Sequence, residues 1–162
     1  MSKKPLWWWI ATWFGSGLAP KASGTFGSIA ALPFAYFIQK IGGLYSLPIA
    51  AFLIFFAGWW ASNEYLKQTG RNDDPKEIVV DEVAGIWMLL AALPHSLNGY
   101  IIGFVMFRIF DVLKPWPICV ADQKIKGGFG VMFDDILAAM YPIIILLLAQ
   151  IFFPHFYFHY VH

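Results

Sequence analysis

The chain has 162 residues, of which 59% are apolar, 19% aromatic and only 13% charged, and its formal net charge is +1. A soluble domain carries about 25% charged residues, so this deficit, with a mean hydropathy of +0.62, points to lipid as the solvent and leaves no footprint for nucleic acid. A single cysteine, Cys119, excludes an internal disulfide framework, and no Cys/His metal spacing is present.

One domain, 1–162, is expected at this length. Residues 1–5 are basic, but the tryptophan-rich run after them lacks a small-residue cleavage site, so no cleavable signal is expected. Trp7, Trp8, Trp9 and Trp13 suit an N-terminal amphipathic helix lying in the membrane interface; an aromatic belt with no further role fits them equally. Apolar stretches then predict an all-α integral membrane protein with about five transmembrane helices, over residues 26–38 (extended by 24–28 at its start), 47–66, 83–93, 99–112 and 136–153. The third and fourth are short of the roughly 20 residues a full span needs. They cross only if their polar ends are helical too; otherwise they form a re-entrant hairpin, which leaves the parity of crossings unchanged. Pro33, Pro48 and Pro142 are expected early in their spans, where the lost backbone donor costs least. No internal repeat is evident.

Lys and Arg set the orientation. Lys3, Lys4 and Lys21 precede the first stretch, and Lys40 alone follows it. Lys67, Arg71 and Lys76 follow the second, none falls in 95–98, Lys114, Lys124 and Lys126 follow the fourth, and the tail has none. The N-terminus is therefore predicted inside and the C-terminus outside. On that topology all ten carboxylates, Glu64, Asp73, Asp74, Glu77, Asp81, Glu82, Asp111, Asp122, Asp134 and Asp135, fall on the cytoplasmic side. Carboxylates gathered at one depth suggest a site.

Three segments carry the chemistry. Asp81 and Glu82 stand at the start of the third helix. Arg108, Asp111 and Lys114 are spaced three apart at the end of the fourth, which Pro115 is expected to terminate. Asp134 and Asp135 enter the fifth after Gly127-Gly128-Phe129-Gly130. Helix capping explains one acid at each N-terminus, worth about 0.3–1 kcal/mol. It does not explain two, and it fails for Asp111, near a helix C-terminus. Arg108 could neutralise Asp111 as a structural pair. Paired acids from three helices suit Mg²⁺, which takes oxygen ligands and keeps some of its water. Ahead of the first helix, the Gly/Ser-rich run 15–28 could present backbone amides to phosphate; a flexible lead-in capped by Thr25 or Ser28 is an equal reading. Asp73 and Asp74, between Asn72 and Pro75, read as a solvated turn, Glu64 as facing the interface, and His155, His159 and His162 as an outside tail with no metal role.

Gly15-Ser16-Gly17-Leu18, Gly24-Thr25-Phe26-Gly27-Ser28, Asp81-Glu82-Val83-Ala84-Gly85, Phe107-Arg108-Ile109-Phe110-Asp111 with Lys114-Pro115-Trp116-Pro117, and Gly127-Gly128-Phe129-Gly130 with Asp134-Asp135 occur in that order. Together they resemble the phosphatidylglycerophosphatase A family, from about residue 14 to residue 138. The proline that usually precedes Gly-Thr in that family is replaced by Ser23. The resemblance implies a bacterial inner-membrane, Mg²⁺-dependent lipid phosphatase that converts phosphatidylglycerophosphate to phosphatidylglycerol, a step of phospholipid biosynthesis, with its active site facing the cytoplasm.

The predicted catalytic set is Asp81, Glu82, Arg108, Asp111 and Lys114, the phosphate-binding set Gly24, Thr25, Gly27 and Ser28, and the Mg²⁺ ligands Glu82, Asp111, Asp134 and Asp135. Water is the expected nucleophile, ahead of an aspartate carboxylate. Other phosphatase chemistries lack their residues: no arginine completes a Cys-x5-Arg loop after Cys119, and neither Asp-x-Asp-x-Thr nor Pro-Ser-Gly-His occurs. The Asp-Gly-x2-Ala-Arg motif of CDP-alcohol phosphotransferases is missing too. The alternative is a small multi-pass transporter or channel with an acidic cytoplasmic vestibule. It is disfavoured because an ion path needs polar groups in both halves of the membrane, and the outer half has almost none.

Overall fold

A computed structural model describes residues 4–71 and 75–153, and the described residues form helices and no strand. The helices are α1 (Leu6–Ala11), α2 (Ser23–Gly42), α3 (Ser46–Thr69), α4 (Val80–Ala91), α5 (Leu97–Leu113), α6 (Ile118–Lys124) and α7 (Gly127–Phe152), with a short 3-10 turn at Ser16–Leu18. Asp73, Asp74, His155, His159 and His162 lie outside the described residues.

The five expected apolar helices are α2, α3, α4, α5 and α7. One begins well before its apolar stretch, α7 at Gly127, while α2 begins at Ser23, one residue ahead of its expected extension. Pro33 and Pro142 fall inside their helices rather than early in them, whereas Pro48 does sit in the first turn of α3. The third and fourth helices are short as expected. The 12 residues of α4 and the 17 of α5 rise about 18 Å and 26 Å, below the roughly 30 Å of a bilayer's hydrocarbon core. Among the described residues, Ser46–Thr69 and Gly127–Phe152 are the two helices long and apolar enough to cross a membrane. Only 28% of each apolar window is buried, so these are not core helices of a soluble protein. Ile144, Leu147, Leu148 and Ile151 of α7 and Phe52, Leu53 and Phe56 of α3 face outward. An exterior this apolar is a membrane protein's surface.

The interior is built on α4, which packs against α2, α3, α5 and α7. Val80, Val83, Ala84, Ile86 and Leu89 of α4 are fully buried, and small residues line the facing helices at Ala31, Ala35, Ala61, Ala138 and Ala139. With lipid as apolar as leucine, close approach over small residues supplies the attraction. Two cross-helix hydrogen bonds add direction: the Trp87 indole donates to the Ala31 carbonyl (3.0 Å) and the Tyr100 hydroxyl to the Gln39 side chain (2.7 Å).

Consecutive long helices alternate in direction. The start of α2 meets the start of α4 and the end of α5 through Gly24, Glu82 and Arg108. The start of α7 meets α3 near its end, where the Gly128 amide donates to Asn63 (2.9 Å). At the opposite pole Gln39 of α2 meets Tyr100 of α5. The N-terminal aromatic segment forms α1 but is not only an interfacial belt. Trp7 stands edge-on to Tyr65, Trp13 is buried against Trp87 and Phe34, and the Val79 amide donates to the Ala11 carbonyl (2.9 Å). Those contacts fix the chain immediately before the acids of α4.

Candidate active site

Ile78, Val79 and Val80 are buried where the chain enters α4, and that anchorage places the next two residues in the helix's first turn. Those residues are Asp81 and Glu82, and the four free amides of a helix N-terminus favour negative charge there. Two acids in one turn exceed what capping needs. Asp81 is 5% exposed and Asp135, on α7, is 2% exposed. One carboxylate oxygen each from Asp81, Glu82 and Asp135 lies within 4.8 Å of the others.

Gly85, one turn beyond Asp81, makes that convergence possible. A Cβ there would stand 2.6 Å from the Phe107 ring and 2.9 Å from the Asp135 carbonyl. Only a residue without a side chain lets α4, α5 and α7 close to this distance.

The positive counterpart is Arg108 on α5. Its guanidinium pairs with Asp111 one turn along and lies 3.9 Å from Glu82. Gly24, in the first turn of α2, completes this side of the cluster. A Cβ on Gly24 would run into the Glu82 carboxylate and stand 3.1 Å from Arg108 Nη1. The start of α2 is thereby held against an acid and an arginine at once. The rest of the glycine-rich run lies apart. Gly27 packs on Val79, and the buried Ser28 hydroxyl donates to the Gly24 carbonyl (2.8 Å).

A second polar cluster adjoins the first. Lys114, the residue that ends α5, pairs with Asp134 of α7 and with Asp122 of α6 (2.7 Å). Burial opposes the charge on Lys114, but Asp134 and Asp122 outweigh it and hold its pKa above the ordinary lysine value. For Asp122, burial pushes the carboxyl up, and the Lys114 contact overrides this and leaves it below its ordinary value. Both ends of that pair stay charged through the neutral range.

Adjacent in sequence, Asp134 and Asp135 therefore face different partners, and Asp134 also accepts the Asp135 amide (3.1 Å). Among the sequence-predicted residues, the structure brings Asp81, Glu82 and Asp135 together, sets Arg108, Asp111 and Gly24 beside them, and places Lys114 and Asp134 in the neighbouring cluster. Gly27 and Ser28 are buried, and Thr25 is half-buried, in the first two turns of α2. Two residues of the site are absent from the sequence-predicted sets: Gly85, and Asp122 on a helix that the apolar pattern does not reveal. The spacing of Asp122 from Lys114, across a proline-rich turn, gives no helical register from which to find it.

Glu82 Oε2 and Asp135 Oδ2 are buried and accept no hydrogen bond. Buried acceptors are normally satisfied, and like charges this close need a counter-charge. A donor set made of carboxylate oxygens alone fits a hard divalent cation such as Mg²⁺ and not a soft metal.

The family described as Phosphatidylglycerophosphatase A matches residues 9–150. A phosphatidylglycerophosphatase A of Haemophilus influenzae is 37% identical over 142 residues, 87% of this chain and 86% of that protein. The Escherichia coli protein of the same name is 42% identical over 136 residues, 83% of this chain and 77% of that one. A Bacteroides thetaiotaomicron protein provisionally named a phosphatidylinositol-3-phosphatase is 39% identical over 148 residues, 87% of this chain and 91% of its own length. No solved structure gives a significant match.

Proposed function

Since the chain belongs to the phosphatidylglycerophosphatase A family, we propose that the acidic cluster on α4 and α7 is its active site. The protein is a lipid phosphatase: it hydrolyses phosphatidylglycerophosphate to phosphatidylglycerol and inorganic phosphate. The observation that carries the site assignment is the convergence of three buried carboxylates beside Arg108 and the start of α2. A transporter is not favoured, because the described acids gather at one pole of the bundle.

Asp81, Glu82 and Asp135 would hold Mg²⁺, which when bound there neutralises phosphate charge and polarises the monoester. Arg108 supplies a planar fork for two phosphate oxygens. Asp111 aims that fork through its ion pair. The first-turn amides of α2 approach the phosphate where Gly24 leaves room. Asp134 holds Lys114 at the rim, where its ammonium attracts the anionic head group. Asp111 and Asp134, expected as metal ligands, pair with Arg108 and Lys114, and in this reading they position those cations. In the reaction, water bonds to phosphorus, the bond from phosphorus to the glycerol oxygen breaks, and that oxygen takes up a proton.

Phosphate release from phosphatidylglycerophosphate by the purified protein tests this reading, with phosphatidylinositol 3-phosphate as the comparison substrate. Chelator should lower the rate at least about 100-fold, and Mg²⁺ should restore it. A rate indifferent to chelator removes the metal from the mechanism.

Five crossings are proposed as well, with the N-terminus and the acidic pole in the cytoplasm. The alternating helix directions and the Lys/Arg distribution support this. In intact cells, a single cysteine at position 97, at the start of α5, should react with an external impermeant reagent. A single cysteine at position 126, before α7, should stay protected. External labelling at 126 would put the site on the other side.

A further inference from the structure

The helices around α4 are not evenly packed. The pair α2 and α5 touches least among the neighbouring long helices, and a seam of about 580 Å³ runs between them. Ile29 and Leu32 of α2 and Ile101 and Phe104 of α5 form its walls. Its inner end points toward the candidate active site: Ile29 and Phe104, which line it there, lie five residues beyond Gly24 and four before Arg108. Its outer end is closed by aromatic and polar groups, where the Tyr36 and His95 rings stand 4.9 Å apart, tilted by 43°, near the buried Tyr100–Gln39 hydrogen bond.

Resting on the phosphatase reading above, we infer that this α2–α5 seam holds an acyl chain of the lipid substrate while its phosphate sits at Arg108. Three observations select that occupant. The seam's inner walls are hydrocarbon, and Arg108 lies about one helical turn beyond Phe104, which matches a lipid whose charge is confined to one end. It opens sideways along two helices, so a molecule already in the membrane enters without leaving it. Its length also fits. The lined stretch of α2, residues 29–37, rises about 12 Å, and Gly24 lies about 8 Å before it, together close to the roughly 20–22 Å that half a bilayer spans with its head groups.

The seam therefore makes catalysis sensitive to the chain as well as the head group. Water removal from the chain is already complete in the bilayer. What the seam adds is a fixed axis along which the phosphate is presented.

The test compares dipalmitoyl and dihexanoyl phosphatidylglycerophosphate in mixed micelles, for the parent and for Ile101→Trp and Leu32→Trp, which fill the seam. The expected result is a KM for the dipalmitoyl substrate raised about tenfold relative to that for the dihexanoyl one. The dihexanoyl rate also reports that the variant is folded. Equal loss on both substrates, or no change in either, overturns the inference. A parent inactive on both substrates would instead count against the phosphatase reading.

A readout independent of turnover uses a dipalmitoyl lipid carrying a photoreactive group at the chain terminus. With the phosphomonoester head group it should label α2 and α5 near Tyr36 and Tyr100 more strongly than the same chain on phosphatidylcholine. Equal labelling would mean ordinary boundary lipid. A dimer broken by Ile101→Trp, with the chain-length dependence intact, would mean that a second copy covers the seam. Either outcome overturns the inference.

Discussion

Asp135→Asn should lower phosphate release by about 10²- to 10³-fold, the scale lost when one preorganised electrostatic contact to the reacting group is removed. Its neighbour should behave differently. Asp134→Asn should cost only about tenfold, the scale of a supporting residue, because Asp134 faces Lys114 while Asp135 faces Asp81 and Glu82. Thermal unfolding in chelator separates the two residues again, with opposite signs. Asp135→Asn relieves repulsion among three close carboxylates, so its Tm should equal or exceed the parent's. Asp134→Asn breaks a contact to a lysine that retains Asp122, so it should lose about 1.5–3 kcal/mol, the worth of a hydrogen bond to a charged group. Equal activity losses with equal Tm would mean that the two aspartates share one role, and the division between the clusters would be wrong.

The second large effect concerns Arg108. Arg108→Gln and Asp111→Asn should each abolish most activity, for different reasons. Removing the arginine leaves Asp111 and Glu82 without their counter-charge. Removing Asp111 frees the guanidinium to swing toward Glu82. If the pair were scaffold only, the charge-free double variant would recover what each single change loses. We expect the double variant to regain stability but stay at least about 100-fold below the parent in rate, because no planar fork remains for the phosphate. Arg108→Lys should recover little for the same reason. A double variant restored to a substantial fraction of the parent rate, at equal protein level, would return both residues to the scaffold.

The helices and the acidic pole were legible in the sequence because lipid-exposed segments are apolar all round and polar residues mark their ends. The same property hid the rest. When every face of α2 or α7 is apolar, periodicity does not say which face meets α4, so the division of labour between Asp134 and Asp135 could not be read. Lys114 looked like the third member of a helical row with Arg108 and Asp111. Its place as the residue that ends α5, with a left-handed backbone (φ 40°), swings it away toward α6 and α7. Helix α6 has only seven residues, too few for an apolar pattern to stand out. Gly85 is visible in sequence only as a glycine beside two acids; what it does depends on Phe107 and the Asp135 carbonyl, far along the chain. The resemblance to a family gathered the acids into one site but could not say which three point at one another.

The brevity of α4 has a consequence for biogenesis. Its 12 residues are covered by four other helices and begin with two carboxylates. A translocon that releases segments according to their own apolarity has little reason to release this one by itself. In the five-crossing arrangement proposed above, α4 is drawn into the bilayer by its neighbours, α7 among them, which is synthesised after it. One member of the acidic cluster, Asp135, arrives with that later helix. A nascent chain that ends before α7 lacks it and should be inert, so competence waits on a helix made well after the other two acids.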